Sequence, residues 1–160
     1  MRRSVLVLAA ALFALSACKQ EAPRPAEGDP DAKPGLSVSN GLLILPAVKG
    51  NPGAAFFDLA NTGKSPATLA AVYVEGAEKA EMHETKDGKM GPLAPIEVKS
   101  GETVKFARGG KHVMAFGLAD TLKAGDRTEM TLTFADGDKL STQLAVESPA
   151  GAMAGMGDGD

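Results

Sequence analysis

Cysteine, histidine and aromatic residues are scarce in this chain of 160 residues. It has one cysteine, two histidines and no tryptophan, and aromatic residues make up only 4% of it. A single cysteine excludes a disulfide framework and a cysteine-rich zinc fold, and two histidines exclude any site that needs three imidazoles. Lys and Arg total 17 against 20 Asp and Glu, so the chain lacks the basic surface that nucleic-acid binding requires. We therefore expect no nucleic-acid partner.

The first residues have the pattern of an export signal. Met1-Arg2-Arg3 is a short basic region, and the apolar run over residues 5–17 is too short to span a bilayer as a helix. The run ends in Leu15-Ser16-Ala17-Cys18, which resembles the lipobox of bacterial lipoproteins, where the cysteine is lipidated and becomes the new N-terminus. The alternative is an ordinary signal peptide followed by a free thiol, but an unpaired cysteine is unusual in an exported protein. We expect a periplasmic protein anchored to a membrane through Cys18.

Composition divides the chain after this signal peptide (residues 1–17) into a tether, one domain and a tail. Residues 18–34, which begin with the lipidated cysteine, hold no large apolar side chain that could form a core, so they are predicted to be a flexible tether. Residues 149–160 are mostly Gly, Ala and Asp with two methionines, and are predicted to be a disordered tail. Residues 35–148 are enough for one independent hydrophobic core, and we expect a monomer.

The domain has the pattern of an all-β protein. Met130, Leu132 and Phe134 alternate with polar residues, and this period of two places one face in a core and the other in water. An Asp-Gly turn at residues 136–137 follows, and apolar positions resume after it, which predicts a β-hairpin. Similar short segments, separated by Gly-containing turns, predict a sandwich or barrel. These segments cover residues 42–45, 54–60, 68–74, 80–85, 96–98, 103–107 and 112–118.

Each histidine has a methionine on its own face of a predicted strand. His112 and Met114 are two residues apart, so their side chains leave the same face. If residues 87–88 form a two-residue hairpin turn, His83 and Met90 become diagonal neighbours across that hairpin. The sequence thus offers two pairs of donor atoms.

Ligand softness indicates what these pairs could bind. Thioether sulfur is a soft donor and imidazole binds copper, zinc and nickel alike, so a mixed set favours Cu(I) over zinc. Calcium and magnesium prefer oxygen ligands. Taken singly, each residue is well explained as core filler or as an ordinary surface residue, but the occurrence of both pairs in an exported chain favours a metal. A blue-copper electron carrier needs a cysteine ligand, and the one cysteine, Cys18, lies at the start of the tether and is expected to be lipidated. No Gly-x-Ser-x-Gly motif or triad context indicates a hydrolase, so we expect no enzyme.

Four further residues have open roles. Glu81 and Glu84 flank His83 and are either solvated strand residues or partners that orient its imidazole. Met153 and Met156 are either an auxiliary copper site or incidental to a mobile tail, in which ordering two ligands is costly.

These motifs resemble the periplasmic copper chaperone family of the PCuAC type, whose mark is a His and a Met followed at a fixed interval by His-x-Met. Residues 91–111 separate Met90 from His112, which is the family's interval. Only residues 84–89 separate His83 from Met90, fewer than is usual in the family, and this leaves Met82 as an alternative ligand. The likeness also covers residues 51–57, 61–63, 82–85, 111–114 and 117–118.

The resemblance implies a cupredoxin-like β-sandwich with Greek-key topology, in which His83, Met90, His112 and Met114 bind Cu(I). It also implies a copper chaperone that receives the ion from a donor protein and delivers it to the copper centre of a respiratory oxidase, in cytochrome c oxidase assembly. Two alternatives remain open: copper sequestration for tolerance, and a lipoprotein binding module in which the His and Met residues are incidental.

Overall fold

Ten short strands, most of them joined by glycine-containing turns, make up the protein. The computed structural model describes residues 34–154. The strands are β1 (Leu36–Ile44), β2 (Gly53–Asn61), β3 (Ala67–Val74), β4 (Lys79–Lys86), β5 (Lys89–Pro92), β6 (Ile96–Val98), β7 (Thr103–Phe106), β8 (Lys111–Phe116), β9 (Arg127–Phe134) and β10 (Lys139–Glu147), followed by a short helix α1 (Pro149–Ala154).

The strands form one sheet that curls around a single core. Their order is β5-β4-β8-β7-β2-β1-β10-β9-β3-β6, and β8 also pairs with β2. The β1–β10 and β7–β8 pairs are parallel, and the other pairs are antiparallel. Strands β3 and β4 are far apart in this order but pack against each other, so the sheet closes into two facing layers. The predicted all-β, single-domain sandwich is confirmed.

Strict alternation of side chains fills the space between the layers. In β2 every second residue is buried, and β9 repeats the pattern. The rings of Phe57 and Phe106 stack at the centre with their centroids 4.3 Å apart. Burying each large apolar side chain of this kind contributes about 1.5–3 kcal/mol. Other fully buried members of this core are Leu43, Leu59, Leu69, Val74, Val98, Val113, Met130, Leu132 and Leu144.

Strand β1 begins earlier than the sequence predicts, because a bulge conceals its pattern. Its register with β2 shifts between Ser39 and Leu42, and Asn40 has a φ of 56°. A Cβ at Gly41 would lie 2.9 Å from the carbonyl oxygen of Gln143, so glycine is needed for the close approach of the backbones. The extra residues break the alternation that would otherwise identify the strand from residue 36.

The tail prediction is corrected at its start, since residues 149–154 form helix α1. The Ser148 hydroxyl accepts a hydrogen bond from the Gly151 amide at 3.1 Å, and Pro149 occupies the first helical position. No helix among residues 34–154 has the length and apolar character needed to cross a membrane. Cys18, the signal peptide, most of the tether and Met156 lie outside the described residues.

Candidate metal site

The hairpin of β4 and β5 has the turn that the sequence predicts. Asp87 and Gly88 have φ angles of 52° and 75°, as a two-residue turn with two left-handed residues requires. Thr85 consequently pairs with Met90, and the predicted register of this hairpin is confirmed. Because residues two apart share a face, Met90 and His83 lie on the same face of the hairpin.

Strand β8 completes this face from the other side of β4. His83 pairs directly with His112, and Glu81 pairs with Met114. The centroids of the two imidazole rings are 6.2 Å apart. The structure thus brings His83, Met90, His112 and Met114 onto one face of three neighbouring strands.

Met82 is not among them. It is 7% exposed and packs in the hydrophobic core, as does its partner Val113. The expectation that Met82 could replace Met90 as a ligand is corrected by strand geometry, because consecutive residues of a strand point to opposite faces.

His112 presents one nitrogen to the protein backbone and the other to Met90. The residue is 7% exposed, and its Nδ1 lies 2.9 Å from the carbonyl oxygen of Gly110. A carbonyl only accepts hydrogen bonds, so Nδ1 carries the proton and the neutral ring has its lone pair on Nε2. That Nε2 lies 3.2 Å from the Sδ of Met90. In the neutral ring, Nε2 and Sδ are two electron-pair donors that face each other, an arrangement that suits a shared metal ion.

In His83 the ring nitrogen without a hydrogen-bond partner among the described residues is Nδ1, whereas in His112 Nδ1 is bonded to a carbonyl. The Nε2 atom of His83 lies 3.5 Å from Oε2 of Glu81, while its Nδ1 is buried. An unsatisfied buried polar atom costs about 1–3 kcal/mol, and such atoms are few in native proteins. A soft metal at this face would give the Nδ1 lone pair a partner.

The two glutamates beside His83 have different partners. Glu81 bonds to Lys79 at 2.7 Å, and this hydrogen bond, together with the one to His83, lowers the pKa of the Glu81 carboxyl below its ordinary value. Glu84 bonds instead to Lys111 at 3.0 Å. Of the two glutamates, Glu81 is the one that contacts the His83 imidazole and could orient it.

Sequence reasoning missed the backbone group that orients His112. The Gly110 carbonyl stands two residues before His112, in the turn that the Arg108-Gly109-Gly110 sequence predicts. The ring of Phe56, with its centroid 6.4 Å from that of His112, borders the same histidine. The turn directly before His112 was a signal that could have indicated the Gly110 carbonyl. The position of Phe56 depends on long-range strand pairing, which no local signal indicates.

Residues 36–146 match the family described as "Putative lipoprotein LpqE-like". The chain is also 32% identical over 151 residues to "Putative lipoprotein Lxx21020" of Leifsonia xyli subsp. xyli, covering 91% of this chain and 89% of the relative.

Among solved structures the fold is similar to three copper-related domains. A copper-bound PCuAC domain from PmoF2 matches with a TM-score of 0.63 at 21% identity, over 74% of this chain and 97% of the other. The apo PCuAC domain from PmoF1 matches with 0.62 at 26% identity, over 72% and 95%. The solution structure of CuI-DR1885 from Deinococcus radiodurans matches with 0.57 at 22% identity, over 79% and 85%. The predicted resemblance to the PCuAC type and its cupredoxin-like fold is confirmed.

Proposed function

The chain belongs to the LpqE-like lipoprotein family, and from this membership and the geometry of its His and Met side chains we propose that it is an extracytoplasmic Cu(I) carrier. The observation that carries the proposal is the 3.2 Å approach of His112 Nε2 to Met90 Sδ, on the face that also holds His83 and Met114.

The donor set suits monovalent copper. Two neutral imidazole nitrogens and two thioether sulfurs favour a soft ion with no need for charge compensation, and zinc would gain little from the sulfurs. The structural likeness to the copper-bound domain from PmoF2 and to CuI-DR1885 supports the same assignment.

The four side chains differ in exposure, which suits transfer rather than storage. Met90 is 55% exposed on an edge strand, whereas His112 is 7% exposed on an interior strand. An incoming ligand of an acceptor protein reaches Met90 first and can replace its thioether while the imidazoles still hold the ion. Exchange of one neutral ligand at a time moves copper without leaving it free in water.

We place the protein in the bacterial periplasm, anchored to a membrane through a lipid on Cys18. An anchor followed by the tether of residues 18–34 keeps the domain within a short distance of the membrane and raises its effective concentration towards membrane-bound acceptors. The proposed membrane-bound acceptor is the copper centre of a respiratory oxidase.

Anaerobic Cu(I) titration of the protein, followed by mixing with the copper-free soluble domain of an oxidase subunit, tests the proposal. We expect one tightly bound Cu(I) per chain and its loss to the oxidase domain.

A deletion strain should have low oxidase activity under copper limitation and recover when copper is added. Normal oxidase activity together with greater sensitivity to copper would instead indicate sequestration, and absence of Cu(I) binding would indicate a binding module of another kind.

A further inference from the structure

The two histidines of the candidate site are held by different hydrogen bonds. His112 donates Nδ1–H to a backbone carbonyl, which leaves the Nε2 lone pair facing Met90 Sδ. At His83 the partner is a carboxylate next to Nε2, and the buried nitrogen without a partner is Nδ1. The neutral imidazole carries its proton on one nitrogen only, so the partner of that proton decides which nitrogen can bind a metal.

We propose that Glu81 is a positioning residue that makes His83 offer Nδ1 to Cu(I), whereas His112 offers Nε2. The proposal rests on the proposed function, because it assigns the donor atoms of the same site. Glu81 accepts Nε2–H of His83 and fixes both the tautomer and the rotation of the ring. It is a positioning residue because it acts through His83.

The contacts of Glu81 support this role. Its Oε1 accepts a hydrogen bond from Lys79 at 2.7 Å, and its Oε2 faces His83 Nε2 at 3.5 Å. Lys79 thus engages one carboxylate oxygen while the second oxygen remains available to the imidazole. Glu81 and His83 are two apart on β4 and share a face, which is why this carboxylate reaches the ring.

Glu84 provides the matched comparison. It adjoins His83 in the chain, but it lies on the other face of β4 and pairs with Lys111 of β8. Removing the Glu84 carboxylate changes the charge near His83 by the same amount as removing that of Glu81. It leaves the hydrogen bond of the His83 ring untouched.

The test is long-range proton–nitrogen NMR of the imidazole side chains in the 15N-labelled full-length protein. We expect the metal-free protein to have His83 protonated on Nε2 and His112 protonated on Nδ1. On anaerobic addition of Cu(I) alone, the resonances of His83 Nδ1 and His112 Nε2 should shift. Glu81→Leu should give a mixture of His83 tautomers and reduce Cu(I) affinity by about tenfold or more, as loss of such partners does elsewhere.

Two variants separate positioning from general effects of structure and charge. Glu81→Gln keeps an oxygen that accepts Nε2–H, so it should restore the single tautomer and most of the affinity. Glu84→Leu should leave both unchanged. The positioning role is overturned if wild-type His83 carries its proton on Nδ1, or if Glu81→Leu has the wild-type tautomer. A wild-type protein with the expected tautomers that binds no Cu(I) would overturn the proposed function instead.

Discussion

The Nε2 atom of His112 lies 3.2 Å from the Sδ atom of Met90, although the two residues belong to strands that are not neighbours. Strand β4 lies between β5 and β8 and pairs with both. The contact therefore depends on the pairing of three strands, one of which, β5, is an edge strand that pairs with β4 alone. Of the four side chains of the candidate site, His112 is buried, His83 and Met114 are half-buried, and Met90 is exposed.

Replacing Met90 with leucine should reduce Cu(I) affinity and leave stability unchanged. Met90 is 55% exposed, so its side chain contributes little to packing, whereas its sulfur faces His112. The matched control is Met82→Leu, which removes a buried sulfur on the opposite face and should cost less than about 1.5 kcal/mol of stability without affecting Cu(I). Competition titration with a Cu(I) chelator and urea unfolding measure both quantities. Weaker copper binding in Met82→Leu but not in Met90→Leu would contradict our ligand assignment.

The turn of the β4–β5 hairpin should control the affinity through the position of Met90. Gly88 has a φ of 75°, and a Cβ added there would meet nothing within 4 Å, so Gly88→Ala acts through backbone strain alone, about 1 kcal/mol. Gly91→Ala is the control, because Gly91 also has free space but no positive φ. We expect faster amide hydrogen exchange in β5 and a several-fold loss of Cu(I) affinity for Gly88→Ala only. Equal behaviour of the two variants would show that the turn does not position Met90.

Local signals predicted each His–Met pair of the candidate site from sequence, but not how the two pairs come together. The Asp87-Gly88 turn sets the pairing of Thr85 with Met90, and the spacing of His112 and Met114 sets their common face. The pairing of β4 with β8 brings His83 opposite His112, and no local signal encodes it, because strands β5 to β7 intervene along the chain. That long-range step came only from the resemblance to a known family.

Local chemistry also failed in two identifiable places. At Asn40 and Gly41 a bulge interrupts the alternation of β1, so the sequence pattern indicates only the second half of the strand. In α1 the signal is present, since Ser148 before Pro149 is a favourable helix start. The six residues of this helix are too few to show a helical period, and the Gly-rich composition around it conceals the start.

Asn61 should be a major determinant of stability. Its Nδ2 donates to the carbonyls of Ser65 and Val98, both at 2.9 Å, and its Oδ1 accepts from the Gly63 amide at 3.0 Å. The residue is 2% exposed, so Asn61→Ala leaves buried groups without partners and should cost about 3 kcal/mol. Thr62→Ala, which removes an exposed hydroxyl, should cost less than about 1 kcal/mol. Urea unfolding would refute this prediction if the two variants were equally stable.

The Glu81 carboxyl should titrate below its ordinary pKa of 4.5, chiefly because of its hydrogen bond with Lys79. Folding lowers this pKa, so the stabilising contribution is present above the pKa of the unfolded chain and is lost as pH falls through that of the folded protein. Carbon-13 NMR of the carboxyl should show the midpoint of the titration rising in Lys79→Met. Lys49→Met, which breaks a separate ion pair with Asp120, should leave the Glu81 midpoint unchanged. A midpoint that does not move in Lys79→Met would contradict the assigned cause.

Removing residues 149–160 should leave the first equivalent of Cu(I) bound. Glu147 pairs with Ile44, Ile44 with Ala54, and Ala54 with Met114, so one row of residues crosses four strands from the start of the tail to the candidate site. At about 4.8 Å between strands, Glu147, two residues before the tail, lies about 14 Å from Met114 along this row. Proximity alone gives no reason for binding, because recruiting tail residues as ligands would cost conformational entropy, whereas the four candidate donors already share one face of the sheet.

Competition titration of the truncated chain and of the full chain carrying Met153→Leu and Met156→Leu separates the two cases. Wild-type affinity for the first Cu(I) in both variants would confine binding to the sheet. Loss of that equivalent in both would make Met153 and Met156 ligands. Loss in the truncated chain alone would assign the effect to helix α1, in which Ala152 is buried, and not to the methionine sulfurs.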